Sequence, residues 1–112
     1  MFTRKTLNAK IDSFLSELEN NGLVVAKAIL FGSYATGKAH ENSDIDLAIW
    51  LRNFPEKHWT EYRSITHAVA KHSPISPRFY PENETEIEDP FIGVIIKDGK
   101  IIDTERIKAE AN

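Results

Sequence analysis

Apolar residues recur along this chain in two rhythms, one of three to four residues and one of two. Between Thr3 and Asn20, Leu7, Ile11, Phe14, Leu15 and Leu18 share one face of a predicted helix. Asn20-Asn21-Gly22 supplies its stop. Leu23 to Phe31 is a short apolar run that reads as a central strand, with Lys27 marking a solvent end. Ser33 to Lys38 leaves room for one helical turn and His40 to Ser43 for a loop. Asp44 to Leu51 is a second strand, with Ile45, Leu47 and Ile49 on one face and Asp44 and Asp46 on the other. Asn53 to Glu56 contains Pro55 and should open a helix. Its body, Lys57 to Lys71, carries Trp59, Tyr62, Ile65, Ala68 and Val69 on roughly one face.

Ser73-Pro74 ends that helix, and Ile75 to Tyr80 reads as a third strand, where Pro77 predicts an edge position. Asp89-Pro90 offers an N-cap followed by proline at N1 of another helix. Phe91, Ile92, Val94, Ile95 and Ile96 would pack inward from it. Asp98-Gly99 turns the chain toward a short strand from Lys100 to Asp103, and a polar tail from Thr104 to Asn112 is helical or frayed. This order predicts an α/β (α+β) domain spanning residues 1–112, with a small mixed β-sheet and helices packed mainly on one face. Trp50 and Trp59 read as core or interface anchors rather than base-stacking platforms. His58, His67 and His72 read as surface residues; the last two are too splayed on a helix to form a metal pair.

Composition narrows the chemistry. Fourteen Lys and Arg against 17 Asp and Glu give a net charge of -3, so no strong nucleic-acid binding is expected. Without cysteine there is neither a disulfide framework nor a thiolate zinc site. No signal peptide is evident and no apolar run approaches membrane-spanning length, so a cytoplasmic location is expected.

The stretch from Ala28 to Trp50 holds the candidate chemistry. On a strand, Asp44 and Asp46 point to one face with Cα atoms roughly 6.5–7 Å apart. Two carboxylates at that reach can converge on a hard cation. Magnesium suits them, since it takes its other oxygens from water and substrate phosphates. Gly32 at a strand end permits a sharp turn and close ligand approach. A helical turn starting at Ser33 would aim free N–H groups, and the serine hydroxyl, at an anion. One edge of such a site favours phosphate and the other metal. A rival reading is a P-loop, since Gly32 to Ala39 almost spells its motif. Ala39 has no hydroxyl for magnesium, and His40 to Ser43 leaves no room for the long helix a P-loop opens. Lys38 keeps a role as a point charge for phosphate.

Gly32-Ser33, ten residues, then Asp44-Ile45-Asp46 resembles the G-S-x10-D-x-D signature of the polymerase-beta-like nucleotidyltransferases. The local text FGSYATGKAHENSDIDLAI is similar to the minimal members of that superfamily, the partners of HEPN proteins. The resemblance implies a nucleotidyltransferase fold, magnesium and a nucleoside triphosphate, ATP first. It implies catalytic and metal roles for Asp44 and Asp46, and nucleotide contacts at Gly32, Ser33, Lys38 and Ser43. It also implies a small helical HEPN protein as partner in a toxin–antitoxin pair, with AMP transferred to that partner. Larger relatives carry substrate-binding domains after the core. A chain this short is expected to find its acceptor on a partner, within a homo- or hetero-oligomer. A second reading is a non-catalytic antitoxin or nucleotide-binding subunit that neutralises its partner by complex formation.

The resemblance has two departures. The family's third strand carries another acidic residue that completes the metal site and helps activate the attacking hydroxyl; position places Ser76 there. The acidic run Glu82, Glu84, Glu86, Glu88 and Asp89 could substitute, or is a solvated loop. Thr36 stands where relatives often carry a basic residue, which weakens phosphate attraction. Arg78 shares a strand face with Ser76 and is a second candidate for phosphate. His40 reads as a solvated loop residue, with phosphate contact as the alternative.

Overall fold

The computed structural model describes the chain except Asn53, residues 55–58, Arg106 and residues 108–112; for residues 59–62 and 64 it describes the backbone alone. The expected helix opening at Asn53 to Glu56, the side chains of His58, Trp59 and Tyr62, and most of the tail therefore lie outside the described residues. The elements are α1 (Arg4–Asn20), β1 (Val25–Phe31), α2 (Ser33–Thr36), β2 (Ile45–Leu51), α3 (Trp59–Lys71), β3 (Ile75–Pro81), α4 (Phe91–Asp98) and β4 (Lys100–Ile101).

α1 starts where the Thr3 side chain accepts the Thr6 N–H, and ends at Asn21, whose side chain donates to the Glu17 carbonyl. Its buried face is the one the periodicity picks out: Leu7, Ile11, Phe14, Leu15 and Leu18. The strands form one mixed sheet in the order β3-β2-β1-β4. β1 is antiparallel to both β2 and β4, while β2 and β3 are parallel. β3, with Pro77, lies at an edge as expected, and so does β4.

The sheet has two unlike faces. Ile45, Leu47, Ile49 and Leu51 on β2, with Val25, Ala28 and Leu30 on β1, pack against α1 and α3 in the main core. Ile107 joins that core, so the tail is anchored there and not frayed throughout. Ala48, Trp50, Ile29 and Tyr80 occupy the other face, where α4 contributes Ile92 and Ile95. The two long helices thus cover one face, and the short α4 covers part of the second.

Three expectations are corrected. Val94 and Ile96 are 54% and 50% exposed and Phe91 is 37% exposed, so only Ile92 and Ile95 of α4 bury. An eight-residue helix lying on a sheet touches it with one face, whatever the hydrophobicity of the other. α4 begins one residue later than read, with Pro90 at the N-cap position; the Asp89 carboxylate still accepts the Phe91 N–H at 3.0 Å. His72 is not a surface residue: its ring contacts Glu17 at 3.0 Å and stands edge-on to Phe14.

Candidate functional site

Strand directions decide where the chemistry converges. β1 ends at Phe31, which is the register partner of Asp46. β2 and β3 both begin at this end, and Ser76 is the register partner of Asp46 on its other side. Phe31, Asp46 and Ser76 therefore form one row across the sheet, on the face away from α1 and α3. Ile45 and Leu47 flank Asp46 in sequence and are fully buried on the opposite face, which fixes the outward direction of the carboxylate.

The turn after β1 closes on that row. Gly32 has φ 74° and ψ -154°, a conformation open to glycine and costly for other residues. A Cβ added there would run into the Asp46 carboxylate oxygen, so backbone and carboxylate are in direct contact. The Gly32 carbonyl accepts the N–H groups of Ala35 and Thr36. Those of Ser33 and Tyr34, in the first turn of α2, have no partner within the helix. α2 is only four residues long, which disposes of the P-loop reading structurally as well as chemically. Gly37, left-handed at φ 78°, ends it.

Asp46 is half-buried beside exposed Asp44. Burial first, and the Asp44 charge second, raise the Asp46 carboxyl above its ordinary value. A pair that repels itself in this way, next to a glycine backbone, fits a hard divalent cation that would relieve the repulsion. Among the described residues no third His, Cys, Asp or Glu joins the pair.

The acidic run does not fill the gap. Glu82 pairs with Arg52 at 3.1 Å, and the Glu84 carbonyl accepts the Trp50 indole N–H at 2.9 Å. Both positions follow the far end of β3, roughly 20 Å of strand away from Ser76. Glu88 closes a turn on Thr85. Asp89 caps α4 and stands 3.8 Å from Arg78.

The other sequence candidates are placed as follows. Lys38 is exposed, and its backbone N–H bonds the Ser33 carbonyl at 2.9 Å. Ser43 accepts the His40 N–H at 2.8 Å and so closes the loop, leaving its own O–H to donate. The His40 ring accepts the Asn42 N–H, which makes His40 part of the same loop structure. Arg78, one row above Ser76, gives its Nε–H to the Tyr80 hydroxyl and lays its guanidinium 4.6 Å from the centre of the Phe91 ring. Phe91 in turn stands edge-on to Phe31, so α4 walls the row on one side. Ser33 also borders a cavity of about 530 Å³ between α2, the start of α1 and β4; Asp44 and Asp46 do not line it. The carboxylates sit on the open sheet face instead.

Comparisons with known proteins point the same way as this geometry. A family model described as a nucleotidyltransferase domain matches residues 10–103. A Methanocaldococcus jannaschii protein named "Putative protein adenylyltransferase MJ1305" is 36% identical over 66 residues, which is 58% of this chain. The match spans 45% of that relative, under half its length. No solved structure matches the chain.

Proposed function

Because this chain belongs to the nucleotidyltransferase domain family, we propose that it transfers AMP from ATP to an acceptor hydroxyl. The acceptor lies on a helical HEPN-type partner, for which this chain is the antitoxin. The observation that carries the reading is the contact between the Gly32 turn and the Asp46 carboxylate. On this reading the N–H groups of that turn would meet phosphate beside a carboxylate that would meet metal. The name of the Methanocaldococcus relative supports a protein acceptor and an adenylyl donor.

Gly32 and Ser33 hold the β- and γ-phosphates through backbone N–H groups and the serine hydroxyl, and Lys38 and Ser43 lie on the same loop as further contacts. Asp44 and Asp46 are the residues that would hold magnesium. When bound, magnesium supplies charge neutralisation at the α-phosphate and the departing pyrophosphate. The acceptor oxygen attacks the α-phosphorus, the bond from that phosphorus to the bridging oxygen breaks, and pyrophosphate leaves. The hydroxyl proton passes to solvent or to a carboxylate at the site. On this reading residues 1–112 act as one minimal domain, and the partner positions the hydroxyl.

The test is mass spectrometry of the partner after incubation with this protein, ATP and magnesium. An added AMP is expected, and Asp46→Asn is expected to abolish it while leaving the fold intact. The fold should survive because the ionised Asp46 is disfavoured where it sits. Labelling by Asp46→Asn at the wild-type rate would end this assignment.

One observation favours a second reading, a non-catalytic subunit that neutralises its partner by binding it. Ser76, with no acidic side chain, occupies the register position beside Asp46. This reading expects a stable complex indifferent to magnesium, and full neutralisation by the Asp44→Asn, Asp46→Asn double variant.

A further inference from the structure

Ser33 borders two environments, and the second is cationic. Leu30, on the α1 side of the sheet, lines the cavity of about 530 Å³, as do the α2 turn, the first turns of α1, and β4. Into it the fold brings Arg4 from α1 and Lys100 from β4, separated by almost the whole chain. No Asp or Glu lines the cavity among the described residues. Neither Arg4 nor Lys100 has an ion-pair partner among them. The walls include Leu7, Asn8 and the Phe2–Tyr34 ring pair, with centroids 6.3 Å apart; Tyr34 is fixed in place by the Phe2 N–H, which donates to its hydroxyl at 3.2 Å.

A nucleoside triphosphate brings several negative charges to a site whose own side chains, Asp44 and Asp46, are negative. A cation on the carboxylates offsets part of this, near the α-phosphate. The far end of the triphosphate needs positive charge of its own. Lys38 supplies one exposed charge on the loop after α2, Thr36 supplies none, and Arg78 is committed to Tyr80, Asp89 and Phe91. Ser33, which on the transfer reading touches the β- and γ-phosphates, lines the same cavity as Arg4 and Lys100.

We propose that this cavity seats the distal phosphates of the donor, with Arg4 and Lys100 as their ligands. Arg4 offers a planar fork suited to two phosphate oxygens, and Lys100 a point charge. The consequence is selection of the donor by the length of its phosphate chain, independently of the base. This assignment rests on the transfer reading, but the two fail separately.

Calorimetric titration with ATP, ADP and AMP in magnesium, and with tripolyphosphate as the base-free probe, tests it. Wild type should bind ATP tightest and AMP weakest. Arg4→Ala and Lys100→Ala should each weaken ATP and tripolyphosphate about tenfold, leaving AMP unchanged. Arg4→Lys, which keeps the charge but not the fork, should lose less than Arg4→Ala and still bind more weakly than wild type. Both side chains are exposed, so the variants are expected to fold, and unchanged melting curves would verify it. If the Arg4→Ala, Lys100→Ala double variant binds ATP and tripolyphosphate as wild type does, the cavity is not the phosphate seat; Asp46→Asn losing transfer in the same preparation would leave the transfer reading standing. If wild type binds tripolyphosphate through these residues yet labels no acceptor, the cavity assignment stands and the transfer reading falls.

Discussion

At the scale of single residues, Gly32 carries more of the site than its size suggests. Its positive φ and its contact with Asp46 are two separate demands, and a side chain violates both. Gly32→Ala should therefore cost about 2 kcal/mol or more, roughly 10 °C in melting temperature, and should remove magnesium-dependent ATP binding. A variant with wild-type melting and binding would show that the turn is not held as described. The spacing of Gly32, Ser33, Asp44 and Asp46 was readable from the chain because it is local. A glycine after an apolar run marks the turn, and alternation within β2 sets the facing of Asp46; Asp44, expected on that strand, precedes it, so alternation does not fix its side. Arg4 and Lys100 were not readable in this way. They meet only because α1 starts, and β4 pairs, beside the same turn, and no local pattern encodes that meeting. Their one sequence-level hint is indirect: Thr36 leaves a charge to be found elsewhere.

Between elements, the junction of α1 and α3 shows what periodicity misses. Leu7 through Leu18 announce the buried stripe of α1, but that periodicity says nothing of Glu17 at its border. In the fold its carboxylate takes the His72 ring at 3.0 Å and the Lys71 ammonium at 3.1 Å. The His72 contact is the larger cause, with Lys71 behind it, of a Glu17 carboxyl held below the usual glutamate value against the opposing effect of burial. A carboxyl lowered on folding stabilises the native state at pH above its unfolded value, near 4.3. That stabilisation is lost as pH falls through the lowered folded value. Glu17→Gln should thus melt about 5 °C below wild type at neutral pH, the cost of about one charged hydrogen bond. The gap should close between pH 5 and pH 3, as wild type loses its pairing and the variant has none to lose. Coincident melting temperatures at neutral pH would show that the junction contributes nothing, and a gap that persists to pH 3 would show that the Glu17 charge is not its source. α4 makes the complementary point. From Phe91 to Ile96 its sequence carries no polar side chain, so that stretch gives no reason to prefer Ile92 and Ile95 over Val94 and Ile96; docking on Ile29 and Trp50 makes the choice.

For the whole molecule, the sheet order is what puts Ser76 where it matters. β3 follows β2 by way of α3 and returns parallel to it, so both strands start at the same end of the sheet. Residues 46 and 76, thirty positions apart, become neighbours in one row. The fold thus has room for a second outward carboxylate beside Asp46 in this row and holds Ser76 there. This arrangement gives a sharper experiment than removing what is present. Ser76→Asp places a third carboxylate beside a pair whose inner member is already raised by burial and by its neighbour's charge. Without metal the added charge should destabilise the fold, because three like charges share one open face. With magnesium the order should invert: the variant should gain more melting temperature than wild type, since anything that binds only the native state stabilises it. Its magnesium affinity should rise about tenfold, and its AMP transfer should quicken if the acceptor hydroxyl was waiting for a base. The readings of the protein then separate. A variant that binds magnesium more tightly and labels faster marks a transferase slowed by its serine. One that binds magnesium more tightly but labels nothing marks a nucleotide-transfer scaffold retained for partner binding. Magnesium affinity left unchanged by the new carboxylate would mean that Asp46 and position 76 do not border a common metal site, and the geometric basis of the transfer reading would be lost with it.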